Sequence, residues 1–357
     1  MTLPVSGAIS NLAIRRAEIA PGYSVAKVIN GCWQLASDHG GNSNSEKFLF
    51  DSLRELIESG FSSFDCADIY TGVEEFLGRF IRQSGMKNSL QLHTKFVPDL
   101  SQLANLQTSD IKNTIHRSIR RLGVERLDLV QFHWWDYAIP GYLEALEVLN
   151  ELRQSGDIRY LGLTNFDMQR VQEILDTEIP ITSLQLQFSL LDRRPQKGMT
   201  DICREKGISL FCYGTLAGGL ISERQLGMSP PPDENRSVVK YRQLIEEAGG
   251  WQRFQDFLYI LNAIAKEAET SIASLASRWV LDQPGVDALI LGLGNSSHVQ
   301  ENLQMLNTNL SSFHTDAIEA ALLQLSVPRG DVFELERDMD GPHAANMKMN
   351  LNAGPKS

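Results

Sequence analysis

Short apolar runs alternate along this chain with longer stretches whose apolar residues recur every three or four positions. The short runs read as buried strands and the longer stretches as amphipathic helices. Extended chain over 22–30 leads into Gly31-Cys32-Trp33, and the first helix carries Phe48, Leu49, Leu53, Leu56 and Ile57 on one face. Further strands fall at 62–64, 90–95, 127–133, 160–163, 183–187, 209–213 and 288–292. Helical patterns separate them at 73–81, 109–122, 142–153, 168–175, 200–205, 254–269 and 272–281, and another follows at 298–306. Counted from Val28 to Gly292, there are eight strands, each followed by a helix. Parallel strands need such covering crossovers, and eight repeats can close on themselves. The pattern predicts an α/β chain folded as a (β/α)8 TIM barrel.

No linker interrupts that run, so 21–328 reads as one barrel domain. Residues 1–20 form a polar, irregular N-terminal extension, and 329–357 an irregular C-terminal tail. The segment 214–250 carries Gly218-Gly219 and Pro230-Pro231-Pro232 and reads as a long loop after the seventh strand.

Composition narrows the function. Of the 357 residues 42% are apolar, ample for a large core, and the net charge is -11. Nucleic acid needs clustered Lys and Arg, so it is excluded as a principal partner. No apolar run approaches the roughly 20 residues of a membrane span, so no membrane partner is expected. The start of the chain lacks a basic, then apolar, secretory signal. Cys32, Cys66, Cys203 and Cys212 are scattered without a CxxC pair, which gives neither a zinc site nor a disulfide framework. Few, scattered cysteines suit the cytoplasm. His39, His116, His314 and His343 lack ligand spacing, so no metal is expected. Lys112, Arg117, Arg120 and Arg121 read as a solvated helix face.

Candidate chemistry stands at the strand ends. Asp65, Lys95, His133 and Asn165 are polar residues closing four successive apolar runs, with Tyr70 five positions after Asp65. Each alone has an ordinary reading. Asp65 suits a helix N-cap, Tyr70 a packed aromatic, Lys95 a strand leaving into solvent and His133 a core histidine. Together they converge on the C-terminal mouth of a closed barrel, where barrel enzymes carry their active sites. The types suit proton transfer beside a polarised carbonyl. A tyrosine titrates near 10, a neighbouring lysine favours its phenolate, and a carboxylate holds that lysine charged. Gln91, His93 and Gln131 share the inward faces and read as buried hydrogen-bonding partners.

These residues resemble the aldo-keto reductases. The likeness runs through Phe64-Asp65-Cys66-Ala67-Asp68-Ile69-Tyr70, Thr94-Lys95, Gln131-Phe132-His133-Trp134 and Gly162-Leu163-Thr164-Asn165-Phe166, in family order, and covers about 31–303. Cys66 stands where threonine is usual. The resemblance implies a catalytic tetrad of Asp65, Tyr70, Lys95 and His133 that reduces an aldehyde or ketone with NADP or NAD. It implies a nicotinamide carboxamide held by Thr164, Asn165 and Gln185, with Tyr213 stacked on the ring. Gly31, Trp33 and Asp65 would also touch the cofactor, as would Gly214, Leu216 and Gly218. Gly292, His298 and Asn302 would meet its adenosine half. Trp33, Tyr70, His133 and Trp134 would line the substrate pocket, and one of Trp134 and Trp135 is expected there. The stretch 292–297 holds no basic residue before His298, so NADP and NAD both stay open. Arg224, Arg236 or Lys240 of the long loop could replace the missing charge. The rival reading is a redox-sensing auxiliary subunit that binds the nucleotide with little turnover. Its partner surfaces would be 1–20 and the acidic stretch 331–338.

Overall fold

In the computed structural model, residues 14–37, 44–233, 236–293 and 298–352 are described, without the His298 side chain. Two short strands, β1 (Arg16–Ala20) and β2 (Tyr23–Ala26), pair antiparallel. Eight parallel strands then follow: β3 (Val28–Gly31), β4 (Ser63–Asp65), β5 (Gln91–Phe96), β6 (Leu127–Phe132), β7 (Ile158–Thr164), β8 (Ile181–Gln187), β9 (Ser209–Tyr213) and β10 (Val286–Gly292). They pair in chain order, and β10 returns to β3, closing the expected barrel.

Register decides which side chains meet. Gly31 lies opposite Asp65, Lys95 opposite Gln131, and Thr164 opposite Gln185. Parallel neighbours in register send side chains to the same face, so alternate residues fill the barrel. The strand ends therefore deliver Asp65, Lys95 and Gln185 to one interior layer.

Three elements differ from the expectation. The stretch 16–20 is not irregular: its alternating Arg-Ala-Glu-Ile-Ala makes β1, which buries Ala17 and Ile19. With Tyr23 and Val25 of β2 it packs on Ile29, Leu129, Phe211 and Ala288 and plugs the N-terminal end of the barrel. The long loop contains a helix, Arg236–Glu247, because Lys240, Tyr241, Leu244 and Ile245 fall on one buried face. The acidic tail is built into the molecule. Val332, Phe333, Leu335 and Glu336 are buried, two short helices run over Glu334–Arg337 and Pro342–Ala345, and the chain stays attached to the barrel as far as Asn352. Stretch 331–338 is thus spent inside the fold and is no free partner surface.

The supposed solvated stripe is also partly engaged. Arg121 pairs with Glu74 and Glu75, and Arg117 donates to the Asn352 side chain.

Candidate active site

Strands β4 and β5 end side by side, and there a buried carboxylate meets a buried ammonium. Asp65 Oδ2 lies 2.6 Å from Lys95 Nζ. The ammonium also donates to the Cys66 carbonyl at 2.9 Å and reaches the Tyr70 hydroxyl at 3.4 Å. A turn after Asp65 brings Tyr70 back over the strand ends, its ring 5.0 Å from the Lys95 nitrogen. The other carboxylate oxygen, Oδ1, accepts from Gln131 Nε2 and Gln185 Nε2, both at 2.8 Å. Asp65 thus holds three side chains, and through Lys95 it reaches Tyr70.

Burial pulls the Lys95 ammonium down, but Asp65 and then Tyr70 outweigh it and hold the lysine above its ordinary value. For Tyr70, burial raises the phenol more than Lys95 lowers it, so the net shift is upward. This corrects the expectation of a lowered tyrosine. The hydroxyl keeps its proton at neutral pH and is ready to give it.

His133 stands after β6, 2% exposed. Its Nδ1 lies 3.0 Å from the Thr164 carbonyl, which can only accept, so Nδ1 carries the proton. Burial, then Arg337, push the imidazole down to about 3, so it is neutral. Nε2 is then a bare lone pair. It is buried without a partner, and His133 lines the cavity. Such an atom can accept a hydrogen bond from an alcohol hydroxyl; it cannot donate one to a carbonyl.

The cavity above these groups measures about 770 Å³. It is bordered by all the predicted tetrad and by Gly31, Trp33, Thr164, Asn165, Gln185, Tyr213, Gly214, Leu216, Gly218, Gly292 and Asn302. The His298 side chain and 294–297 lie outside the described residues. Trp134 does not line it. That ring is fully buried, its Nε1 donating to the Asp136 and Ile139 carbonyls, whereas Trp135 faces the cavity edge-on to His133 at 4.4 Å. Alternation past the strand end turns the first tryptophan outward and the second inward.

The residues at the β7 and β8 ends fit a nicotinamide carboxamide. Gln185 spends its amide N–H groups on Asp65 and Gln131, leaving Oε1 as an acceptor. Asn165 accepts from the Tyr213 hydroxyl at 2.9 Å, leaving its Nδ2 as a donor. A primary amide needs both. Beside them the buried Thr164 Oγ1 has no partner. Asn165 holds the left-handed conformation at φ 61, a shape this residue type tolerates and functional sites often keep. Gly214 and Gly218 serve a packing role. A Cβ on either would come within 2.5 or 2.9 Å of the Tyr241 ring or hydroxyl, and both have positive φ.

Sequence reasoning missed the tail's share of this site. Phe333 sits edge-on to His133 at 5.4 Å, in the left-handed region at φ 60. Arg337 donates to the carbonyls of Trp134, Trp135 and Asn165, tying the tail to the ends of β6 and β7. Glu336, fully buried, lies 3.5 Å from both Arg194 and Lys240. The apolar Val332, Phe333 and Leu335 among the acids were the available signal.

Comparisons with known proteins agree with this geometry. The model of the aldo/keto reductase family matches residues 27–322. Aldo-keto reductase YhdN of Bacillus subtilis is 25% identical over 302 residues, covering 82% of this chain and 88% of its own. The NADH-specific methylglyoxal reductase of Escherichia coli is 28% identical over 302 residues, 79% of this chain and 90% of its own. A glycerol dehydrogenase structure from Gluconobacter oxydans superposes with a TM-score of 0.74 at 22% identity, covering 90% of this chain and 98% of that one.

Proposed function

The chain belongs to the aldo/keto reductase family and is a nicotinamide-dependent carbonyl oxidoreductase, and from that premise we propose that Tyr70 is its general acid. The observation that carries this is the Asp65–Lys95–Tyr70 chain opening onto a cavity whose other polar wall, His133, has no proton to offer. The nucleotide, when bound, supplies a hydride. Tyr70 protonates the oxygen of the reduced carbonyl, and Lys95 stabilises the phenolate left behind. Asp65 keeps the lysine charged and placed. Once the phenolate is reprotonated, Tyr70 donates to the alcohol oxygen and His133 Nε2 accepts the alcohol O–H, which fixes the oxygen between Tyr70 and the imidazole. A panel of aldehydes and ketones assayed with NADH and NADPH in parallel tests the reading. Tight nucleotide binding with no reduction of any of them would sink it.

The neutral histidine has a pH consequence. Because its proton uptake is pushed down to about 3, His133 does not titrate over the working range. The kcat/KM profile for reduction should carry no limb from this residue between about pH 5 and 9. An acid limb near 6 to 7 that disappears in His133→Asn would overturn the assignment of the lone pair.

Either nucleotide suits the site. Of the three basic residues offered by the long loop, Lys240 is buried against Glu336 and Arg236 donates to the Asn346 carbonyl. Arg224 is exposed and lines the cavity, as do Ser222, Ser271 and Ser274. A charge-assisted bond to a 2′-phosphate is worth about 1.5–3 kcal/mol, or roughly ten- to a hundredfold. The relative named for NADH specificity supports NADH as an acceptable nucleotide here. Arg224→Ser is expected to lower NADPH affinity about tenfold and leave NADH unchanged, read by fluorescence titration. A preference for NADPH above about a hundredfold that survives the substitution would contradict this. The buried, unpaired cysteines suit a reducing compartment such as the cytoplasm. Among the described residues, no helix is long and apolar enough to cross a membrane.

A further inference from the structure

The stretch 346–352 crosses the mouth of the cavity as a strap fastened at both ends. On one side Arg236 donates to the Asn346 carbonyl at 2.8 and 3.2 Å, and Asn346 Nδ2 returns a bond to the Arg236 carbonyl at 2.8 Å. On the other, the Met349 carbonyl accepts from Leu100 N at 2.8 Å and Asn350 Oδ1 from Ser101 N at 2.8 Å. Met347 and Lys348 between the fastenings, and Leu351 just past the second, line the cavity. The strap thus forms part of the wall around whatever the cavity holds.

Asn352 is the clasp. Its backbone N–H donates to Asp99 at 2.9 Å, its Oδ1 accepts from Arg117 at 2.6 Å, and its Nδ2 donates to Asp68 Oδ2 at 3.1 Å and to the Val97 carbonyl at 3.0 Å. Asp68 is 4% exposed and also accepts from Val97 N at 3.2 and 3.3 Å. It lies two residues before Tyr70, and Val97 lies two after Lys95. One carboxyl therefore joins the strap, the tyrosine loop and the end of the lysine strand. Burial, then Glu74, push this carboxyl up to about 8, against the bonds from Asn352 and Val97 and the charge of Arg117. The catalytic contact that depends on the alignment is the longest in the site, Tyr70 to Lys95 at 3.4 Å.

We propose that Asp68 is a positioning residue that couples closure of this strap over bound nucleotide and substrate to the alignment of Tyr70 with Lys95. The coupling rests on the reductase reading above; the strap itself does not. When the strap lifts, Asp68 loses a partner and the tyrosine loop loosens, so chemistry proceeds only under a closed cover.

The test uses the full chain with Asn352→Asp and Asn352→Ala. The first keeps size and the Arg117 contact but removes the amide donor. Release of NADH or NADPH, followed by stopped-flow tryptophan fluorescence, should quicken at least about tenfold. Single-turnover hydride transfer at saturating nucleotide and aldehyde should slow about three- to tenfold, though Asn352 touches no catalytic group. Asp68→Ala should slow it too, and the double variant with Asn352→Ala should be no slower than Asp68→Ala alone. Release within about twofold of wild type in both Asn352 variants overturns the strap. Faster release with unchanged hydride transfer, or losses that add, overturns the coupling through Asp68. A wild type that reduces no carbonyl sinks the reductase reading and the coupling with it, while the release rates still decide the strap.

Discussion

Tyr70→Phe is expected to cut carbonyl reduction by at least about a hundredfold while nucleotide affinity stays within about twofold. Phenylalanine keeps the ring that packs beside the Lys95 ammonium and loses only the hydroxyl. General acid catalysis is worth on the order of 10²–10⁴. No neighbour can replace the lost proton. His133 is neutral with its single N–H engaged by Thr164, and Lys95 is held charged by Asp65. The same argument fixes the role of the lysine. An ammonium kept above its ordinary value is no nucleophile, so borohydride added with an aldehyde should trap nothing on Lys95. Steady-state rates with the best substrate of the panel decide the matter. Wild-type rates in Tyr70→Phe, or a covalent adduct at Lys95, would end the assignment.

The second large effect is on stability. Glu336→Gln leaves Lys240 buried without its counter-charge among the rings of Tyr213, Tyr241 and Phe333, each between 5.3 and 5.9 Å away. Arg194 keeps a second carboxylate, Asp192 at 2.7 Å, so most of the loss falls on the lysine. Removing one partner of a buried pair costs about 3–5 kcal/mol. Burial already lowers the Lys240 ammonium, and Glu336 is the first group that opposes it. Without Glu336 the folded value drops further, and the unfolded chain then binds a proton that the folded chain lacks. The loss is therefore larger at pH 7 than at pH 9.5 and shrinks as pH rises toward the ordinary lysine value near 10.4. Melting curves of wild type and variant at pH 7 and 9.5 measure both parts. An unchanged melting temperature at pH 7 would show that the pair contributes nothing.

What could be read in the sequence was local. Asp65, Lys95 and His133 announced themselves because each closes an apolar run, and the run's own period says where a strand must stop. The strand at 16–20 has the same kind of signal in five residues, too short to stand against its polar surroundings. The loop helix was hidden by glycines and prolines on its N-terminal side, although Tyr241, Leu244 and Ile245 keep helical spacing. The tail was misread for a different reason. Glu336 finds Arg194 and Lys240 across more than ninety positions of chain, and no local pattern shows that an acidic residue has a buried partner that far away. The rise of the Tyr70 phenol is of the same kind, since it depends on how deeply the assembled mouth encloses the ring.

The double use of the Asp65 carboxylate carries a lesson about how such a site can be altered. One oxygen holds Lys95, beside the proposed proton donor, and the other holds the Gln185 amide at the wall proposed for the nicotinamide. The two ends of the reaction are thus referenced to a single fixed point inside the barrel. Trp135, Phe333, Met347 and Leu351, which wall the remaining space, make no bond to that point. Mutational drift or design can reshape those walls for a different carbonyl without altering the separation between hydride and proton. Any change to Asp65 would disturb both at once, and repair at one end would not restore the other.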